Sequence, residues 1–519
     1  MLYEGLQVNT SQQSEAQTIP APVGGLNGRD SLANMAETDA YQMDNIFPGT
    51  TTCKLREGCT IHQAPVGGIV ESLEVFASSS VQTILAFAVP NILDVTAQGV
   101  STSIKADLNG AQVVSTMFST VADSHQWLII TTGADIPMSY DGTAVADLAI
   151  TGLFEPAQGI NFVQSYMGRL FFGMEDTLGF YYLPPGQIQG AAEWFDLGQA
   201  SKLGGHLQAI ATFSQDAGDG PDDYIVFITS RGEYFLFRGM DPGDANAWEI
   251  VGRYRGAEPI GRKCVQDYAG DTLILTTEGV LQFSQIQKLA DSRYEATALS
   301  SKLGDILLKH NEFRGQWGWS MQLHPTGGMM IVNVPKSNNP TEGSYQFAMN
   351  TTTQAWGRFL SKEWDALCWC QSEKSLYFGR YDGSIRKVGG VFDNLQPIRF
   401  DVKQAYNYFK TPQHKHFKWA TFLVRSEAPV VLSSRLSVDY IETPPFSEPN
   451  PLGEGAGAEW DLSFWDDAIW ASGPYTQRWI SAYGNYGVAA SHWLQGDIAG
   501  ATFEWYSTEH VFEKATGLL

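Results

Sequence analysis

The stretch DYIVFITSRGEYFLFRG at residues 223–239 decides the fold. Two apolar runs rich in Ile, Val, Phe and Tyr flank a turn at Arg231-Gly232. Such runs suit pleated strands. A glycine at the turn supplies the positive φ that a tight hairpin requires. The same unit recurs in TILAFAVPNILDV (83–95), HQWLIITTGADIPMSYDGTAV (125–145) and GRLFFGMEDTLGFYYL (168–183). It recurs again in DTLILTTEGVLQFSQ (271–285) and KSLYFGRYDGSIRKV (374–388), with a weaker copy in GMMIVNVPKSNNPTEGSYQFAMN (328–350). The turn glycines Gly142, Gly232, Gly279 and Gly383 stand 90, 47 and 104 residues apart. These intervals approximate one or two multiples of a blade-sized repeat of about 40–50 residues. Six or seven such units predict a β-propeller, in which each blade buries its faces against its neighbours. A string of hairpins in a sandwich is the simpler alternative.

Outward from the repeat, the pattern changes. In Ala298–Phe313, Leu303, Ile306, Leu307 and His310 fall at helical spacing, and Ser300 or Ser301 is placed to cap the start. A short helical insertion is therefore expected near 298–313. Residues 1–20 are rich in Gln, Ser and Thr and read as a flexible N-terminal arm. Residues 21–70 read as an irregular packing segment with one short helix near Glu37–Met43. Its anchors are Leu26, Leu32, Met35, Met43, Ile46 and Phe47, and Phe47 is expected to be buried against the propeller, which spans 71–400. Residues 401–519 form a C-terminal β-rich domain or a closing blade with a loop insertion. Within it, 416–442 reads as a hairpin, 444–460 as a Pro/Gly loop and 501–517 as a last strand pair. The expected class is all-β: a β-propeller with a C-terminal β-rich domain and a short helical insertion.

Composition supports a large folded core. Of 519 residues, 43% are hydrophobic and 17% charged, with 52 Gly, 15 Trp, 21 Tyr and 28 Phe. That balance argues against disorder. The net charge of −23 disfavours a grip on phosphate backbones, which comes chiefly from Lys and Arg. An acidic wall can instead surround a duplex and let it slide; plain solubility is the other use of such charge. The cysteines Cys53, Cys59, Cys264, Cys368 and Cys370 include no CxxC pair, so neither a zinc site nor a disulfide framework is expected. Free thiols point to a reducing cytoplasm. Met1–Pro20 lacks the basic and apolar regions of a secretory signal. No run of about 18 apolar residues occurs, so no membrane anchor is expected.

Catalytic and metal signatures are weak. The acidic loop Asp216–Asp223 lacks the spacing of a calcium loop. His414 and His416 fall on one strand face, but two ligands among lysines do not make a metal site. Asp466 and Asp467 adjoin Trp465 and Trp470, a combination that serves a sugar subsite or an interface. Cys368-Trp369-Cys370 reads as a strand with two small buried side chains. There is no G-x-S-x-G elbow, P-loop or H-E-x-x-H. No catalytic residue, cofactor or metal is expected.

The segment at 20–58 resembles something known. Pro22–Ser31 (PVGGLNGRDS), Asp39–Pro48 (DAYQMDNIFP) and Arg56–Gly58 (REG) resemble the opening of the tail nozzle (tail tubular) proteins of short-tailed bacteriophages. The resemblance implies a virion structural protein and not an enzyme. It would form a homohexameric tail tube below an adaptor ring and be located in the virion tail after assembly in the host cytoplasm. Such a nozzle retains the genome and then conducts it during DNA ejection, with tail fibres or spikes as further partners and no specific DNA binding. The acids Asp216, Asp219, Asp222, Asp223, Asp241, Asp244, Asp466 and Asp467 are then candidate channel-lining residues. Lys410, Lys415 and Lys418 are expected to face neighbouring subunits or the adaptor ring. The rival reading is a propeller glycosidase or depolymerase acting on host surface polysaccharide, which needs paired carboxylates about 5–10 Å apart.

Overall fold

The computed structural model describes residues 14–79, 81–120, 125–216, 221–288, 297–336, 343–427, 430, 432–442, 444 and 475–514. The chain divides into two units. One comprises Glu57–Thr351 and Phe359–Leu395; the other comprises Met1–Arg56, Thr352–Arg358 and Gln396–Leu519.

The first unit is a β-propeller. Among the described residues, seven groups of antiparallel strands follow one another, with inner strands beginning at Ser72, Val114, Ile160, Leu207, Val265, Ser320 and Ala366. The hairpin glycines do what the sequence asks of them: Gly142, Gly232, Gly279 and Gly383 all have positive φ. At Gly232 a side chain would also strike the Gly256 carbonyl, 2.4 Å from an ideal Cβ.

The second strands of the blades are buried along most of their length because successive side chains enter different inter-blade seams. In Arg169–Met174 of the third blade, Leu170 and Phe172 pack with Phe118 and Ile129 of the second. Phe171, pointing the other way, packs with Phe227 and Trp248 of the fourth. That second seam is aromatic: Phe180 stacks on Phe227 at 4.2 Å, and Phe237 on Trp248 at 5.2 Å. The last seam closes the ring, with Val70, Leu73, Ile84 and Ala86 packing against Cys368, Cys370, Tyr377 and Ile385. Cys368 and Cys370 are thus buried on one face of their strand, and all five cysteines are buried free thiols. The seventh blade takes its outermost strand from far upstream: Cys59–Gln63 pairs antiparallel with Ile385–Val388.

The helical insertion is one α-turn, Asp305–Leu308, continued as a 3-10 turn over Lys309–Phe313. Leu303, Leu307 and His310 are buried as their spacing predicts. The cap differs from expectation. The turn starts after Gly304 with no side-chain cap, because Ser300 Oγ instead accepts the Val280 N–H at 2.9 Å.

The second unit is a β-sandwich. One sheet contains Tyr475–Ala482, Lys415–Ser426 and Phe503–Lys514, joined by Ser14–Pro20 and by Cys53–Leu55 with Ile46–Pro48. The other runs Asp39–Asp44, Ile398–Gln404, Ala490–Ile498, Leu432–Val438. Between them Phe400 stacks on Phe503 at 5.0 Å, and Ile19, Phe417 and Phe512 meet Leu436 and Ala490.

Several expectations are corrected here. Ser14–Pro20 is a strand in register with Ser507–Glu513, not part of a loose arm. The expected helix at Glu37–Met43 is largely the strand Asp39–Asp44, because sheet pairing overrides a weak local preference. The expected segment 21–70 is divided: residues through Arg56 fall in the sandwich unit, and Glu57–Val70 fall in the propeller unit. Of its expected anchors Leu26, Met35, Met43 and Ile46 are buried, whereas Leu32 and Phe47 are half-buried. The strands at 416–442 do not pair with each other. Lys415–Ser426 and Leu432–Val438 lie in opposite sheets, where each buries its alternating apolar face. The final segment is one long strand, Phe503–Lys514, rather than a pair. Of 444–460, only residue 444 lies within the described residues.

Replacing Ile46 with Ala is expected to cost about 2–5 kcal/mol of unfolding free energy. Phe47→Ala should cost clearly less, as read from urea denaturation of the two variants side by side.

The sandwich core also predicts a pH dependence. His492 and His510 lie with ring centroids 4.3 Å apart, both buried, and neither ring nitrogen of His492 has a hydrogen-bond partner. Burial pushes both below the ordinary imidazole value, His510 down to about 3, and a charge on His510 disfavours one on His492 further. The folded values lie below the unfolded value of about 6.5, so below that pH the unfolded chain takes up protons that the fold refuses. Stability should therefore fall between pH 6.5 and 5 by about 1.4 kcal/mol per pH unit for each histidine. Urea midpoints at pH 7 and pH 5 check this, and a His492→Phe/His510→Phe variant should lose that slope.

Candidate functional site

The polar residues of the opening motif form two hydrogen-bonded clusters in the sandwich, a small one around Asn27 and a larger knot. At its centre is Asn45, which takes φ 59, a conformation asparagine tolerates better than most residues. Its backbone N–H donates to the Arg358 carbonyl (2.7 Å), and its carbonyl accepts the Arg56 N–H (3.0 Å). Its Nδ2 donates to the Arg399 carbonyl (2.7 Å), and its Oδ1 accepts Arg56 Nε (2.7 Å). Beside it, Arg358 forks onto both Asp44 carboxylate oxygens at 2.6 and 2.9 Å. Asn27 Nδ2 donates to Asp39 and Asp30 at 2.7 and 2.9 Å. Gly25 has φ 83, and a Cβ there would lie 2.6 Å from the Trp356 backbone. Asn27, Asp39, Asp44, Asn45 and Arg56 are all buried. Buried polar groups this fully bonded fix one local conformation.

The second concentration of polar groups surrounds the propeller axis. One axial cavity of about 320 Å³ is lined by Glu74, Ser115, Gln164, Arg262, Lys263 and Asp267. An adjoining one of about 300 Å³ is lined by Glu71, Glu74, Lys263, Trp317 and Cys368, among others. Lys263 Nζ reaches Glu74 Oε1 at 2.5 Å, and Glu74 Oε2 accepts Ser115 Oγ at 2.7 Å. Those bonds tie the approach to the fifth blade to the first and second blades across the axis. Trp317 Nε1 donates to the Glu71 carbonyl at 2.7 Å. Burial raises the Glu71 and Asp267 carboxyls from their ordinary values, opposed at Glu71 by a hydrogen bond from Gln112. A wider cup of about 500 Å³ opens at one end of the axis.

The candidate channel-lining acids lie elsewhere. Asp216 and Asp222 stand at the ends of the strands Leu207–Asp216 and Pro221–Thr229. Asp223 accepts Ser214 Oγ at 2.6 Å, Asp241 pairs with Arg169 at 3.2 Å, and Asp244 accepts the Asn246 N–H at 2.9 Å. The strand order places these five at one end of the fourth blade; Asp223, Asp241 and Asp244 line none of the axial cavities. Asp219, Asp466 and Asp467 lie outside the described residues. Lys415 is corrected: it is buried, its Nζ donating to the carbonyls of Thr411, Gln413 and Val488 at 2.7–2.9 Å, so it cannot face another subunit. Lys418 pairs with Glu513 at 3.2 Å, and Lys410 is exposed. His414 precedes the strand on which His416 stacks against Tyr486 at 4.1 Å. Among the described residues no three His, Cys, Asp or Glu side chains are grouped to hold a metal.

The sequence reading missed Glu74, Arg262 and Lys263. The available signal was a lone acid inside the apolar strand SLEVFA (72–77), where a charge has to find a partner.

No family model matches the chain, and no curated protein matches it. Solved structures similar to it include a computationally designed protein, Ika8, at 9% identity over 64% of this chain and 99% of that chain, with a TM-score of 0.36. BBS1N in complex with ARL6DN is similar at 11% identity over 64% of this chain and 97% of that chain, with a TM-score of 0.39. YCF48 from Cyanidioschyzon merolae is similar at 10% identity over 64% and 98%, with a TM-score of 0.38.

The knot makes a graded prediction. Asn45→Ala loses the side-chain bonds, leaves the Arg56 guanidinium short of a partner and forces an ordinary residue into positive φ. It should cost about 2–4 kcal/mol. Asn45→Gly relieves only the backbone and should cost about 1 kcal/mol less, as measured by thermal and urea unfolding.

Proposed function

We propose that the chain is a structural subunit of a virus particle, the tail nozzle of a short-tailed bacteriophage. Six copies would ring a channel that holds the genome and conducts it on ejection, below an adaptor ring and beside fibres or spikes. The observation that carries this reading is the knot around Asn45. The motif that resembles nozzle proteins supplies Asp44, Asn45 and Arg56 to this network, and Asn27 and Asp39 to a second buried cluster. A motif whose residues are spent on holding a fold together fits a mechanical protein better than one whose residues surround a substrate. The sandwich is also braced through both ends of the described chain, since Ser14–Pro20 pairs along Ser507–Glu513. Force applied at either end meets a strand ladder loaded along its length.

The propeller axis is not the conduit in this reading. Its cavities hold a few hundred Å³ and are crossed by the Lys263–Glu74 pair. A duplex would pass through the lumen enclosed by the ring of subunits. One observation favours the second reading, a glycosidase: Glu71 and Asp267, both raised by burial, stand at the axial cavities.

Native mass spectrometry of the purified chain across micromolar concentrations is expected to show a hexamer. A strictly monomeric chain that releases reducing sugar from envelope polysaccharide, and stops doing so as Glu71→Gln, would replace the nozzle with the glycosidase.

A further inference from the structure

The wide cup at the axis mouth shares Arg262 and Trp317 with the axial cavities but is used by neither functional reading above. Loops leading into the inner strands of several blades form it, and its volume of about 500 Å³ suits a small ligand. It is lined by Arg231, Arg262 and Arg314, with Glu258 as the carboxylate among its lining residues. On a chain of net charge −23, three guanidiniums in one concavity run against the overall composition.

The arginines are incompletely neutralised. Arg314 and Arg231 share Glu258, at 2.9 and 3.6 Å. Arg262 has only marginal contacts, with the Thr132 carbonyl at 3.4 Å and Glu175 at 3.6 Å. Its side chain is 23% exposed, against 53% for Glu175. Burial depresses the Arg262 guanidinium, and Glu175 only partly offsets this. His206 adds a ring nitrogen 3.8 Å from Asp176 at the margin. After Glu258 is counted, the lining keeps an excess of fork-shaped donors, the geometry that receives a carboxylate.

The remaining lining suits hydroxyls and a flat apolar face. Ser230, His206 and Gln112 offer donors and acceptors at the rim, and the half-buried Trp317 forms part of the wall. Its indole nitrogen is already tied to the Glu71 carbonyl, so the ring contributes only apolar surface. We propose that this cup binds a carboxylate-bearing sugar unit, a uronic acid of an acidic polysaccharide, with Arg262 and Arg314 receiving the carboxylate and Trp317 the ring. The Arg314–Glu258 pair opens to admit it, one carboxylate replacing another.

Calorimetric titration with di- and tri-uronic acid tests this on the full chain, with neutral hexose oligomers, a short single-stranded DNA and a peptide of residues 215–223 as parallel probes. Saturable uronate binding that neutral sugar does not reproduce is expected. Arg262→Gln should weaken it about tenfold or more. Glu258→Gln should strengthen it, because it removes the competing carboxylate; a merely structural Glu258 would have the opposite effect. Arg231→Gln/Arg314→Gln, at exposed positions, should leave the melting temperature unchanged while lowering affinity. No uronate binding at millimolar concentration, equal affinity for neutral sugar, or a preference for the DNA or the acidic peptide would each overturn the proposal. The uronate should be recovered uncleaved, and this result is independent of whether the chain forms hexamers.

Discussion

Closure of the blade ring is the constraint on which the rest of the propeller depends. Each blade is apolar on both faces, so no blade can bury itself alone. Six seams are made between consecutive blades; the seventh must join residues near 70–95 to residues near 368–385. That seam is a close-packed cluster of Val70, Leu73, Ile84 and Ala86 against Cys368, Cys370, Tyr377 and Ile385. It is locked by main-chain pairing, because Cys59–Gln63 completes the seventh blade from the other end of the repeat. An edge that would otherwise stand open is paired, and the ring cannot unwind blade by blade from that side.

Closure creates an axis, and the axis dictates where charge can go. Inner strands converge there with less room than the periphery, and charged side chains such as Lys263 and Glu74 are held there as cross-axis partners. The effective interaction is strengthened by poor solvation, and removing either partner would strand the other. Charge left over is sorted to opposite ends. The guanidiniums of Arg231, Arg262 and Arg314 gather at the mouth formed by loops leading into inner strands. The acids of the fourth blade lie at the end where its first and third strands finish. The net charge of the chain hides this polarity.

The sandwich solves a different problem. Its strands come from three stretches of chain, and its irregular N-terminal segment has few apolar residues with which to hold a shape. Asn45 compensates by spending its backbone N–H and carbonyl together with both side-chain polar atoms on Arg56, Arg358 and Arg399. Hydrogen bonds inside a protein gain in strength from the low dielectric and from one another. This is why a segment of Gly, Asn and Asp can be as well ordered here as a strand.

The sequence by itself determined the repeat. Gly142, Gly232, Gly279 and Gly383 sit where a positive φ is needed, and strands such as Arg169–Met174 are apolar after the leading arginine because they face two seams. Those are local facts, set by backbone sterics and by hydrophobicity along a few residues. The acidic hairpin of the fourth blade was legible in the same way. Only the tertiary structure decided which strands meet. Ser14–Pro20 carries no strong strand signal, yet it pairs along Ser507–Glu513 because that ladder was open. Lys415–Ser426 and Leu432–Val438 look like a hairpin but stack in opposite sheets. Lys415 is buried and Phe47 only half-buried for the same reason: alternation in a strand fixes which side chains share a face, and only the partner sheet decides which face is inside. The axial and mouth clusters assemble residues from separate blades, so no window of sequence contains them. They exist because the ring closes.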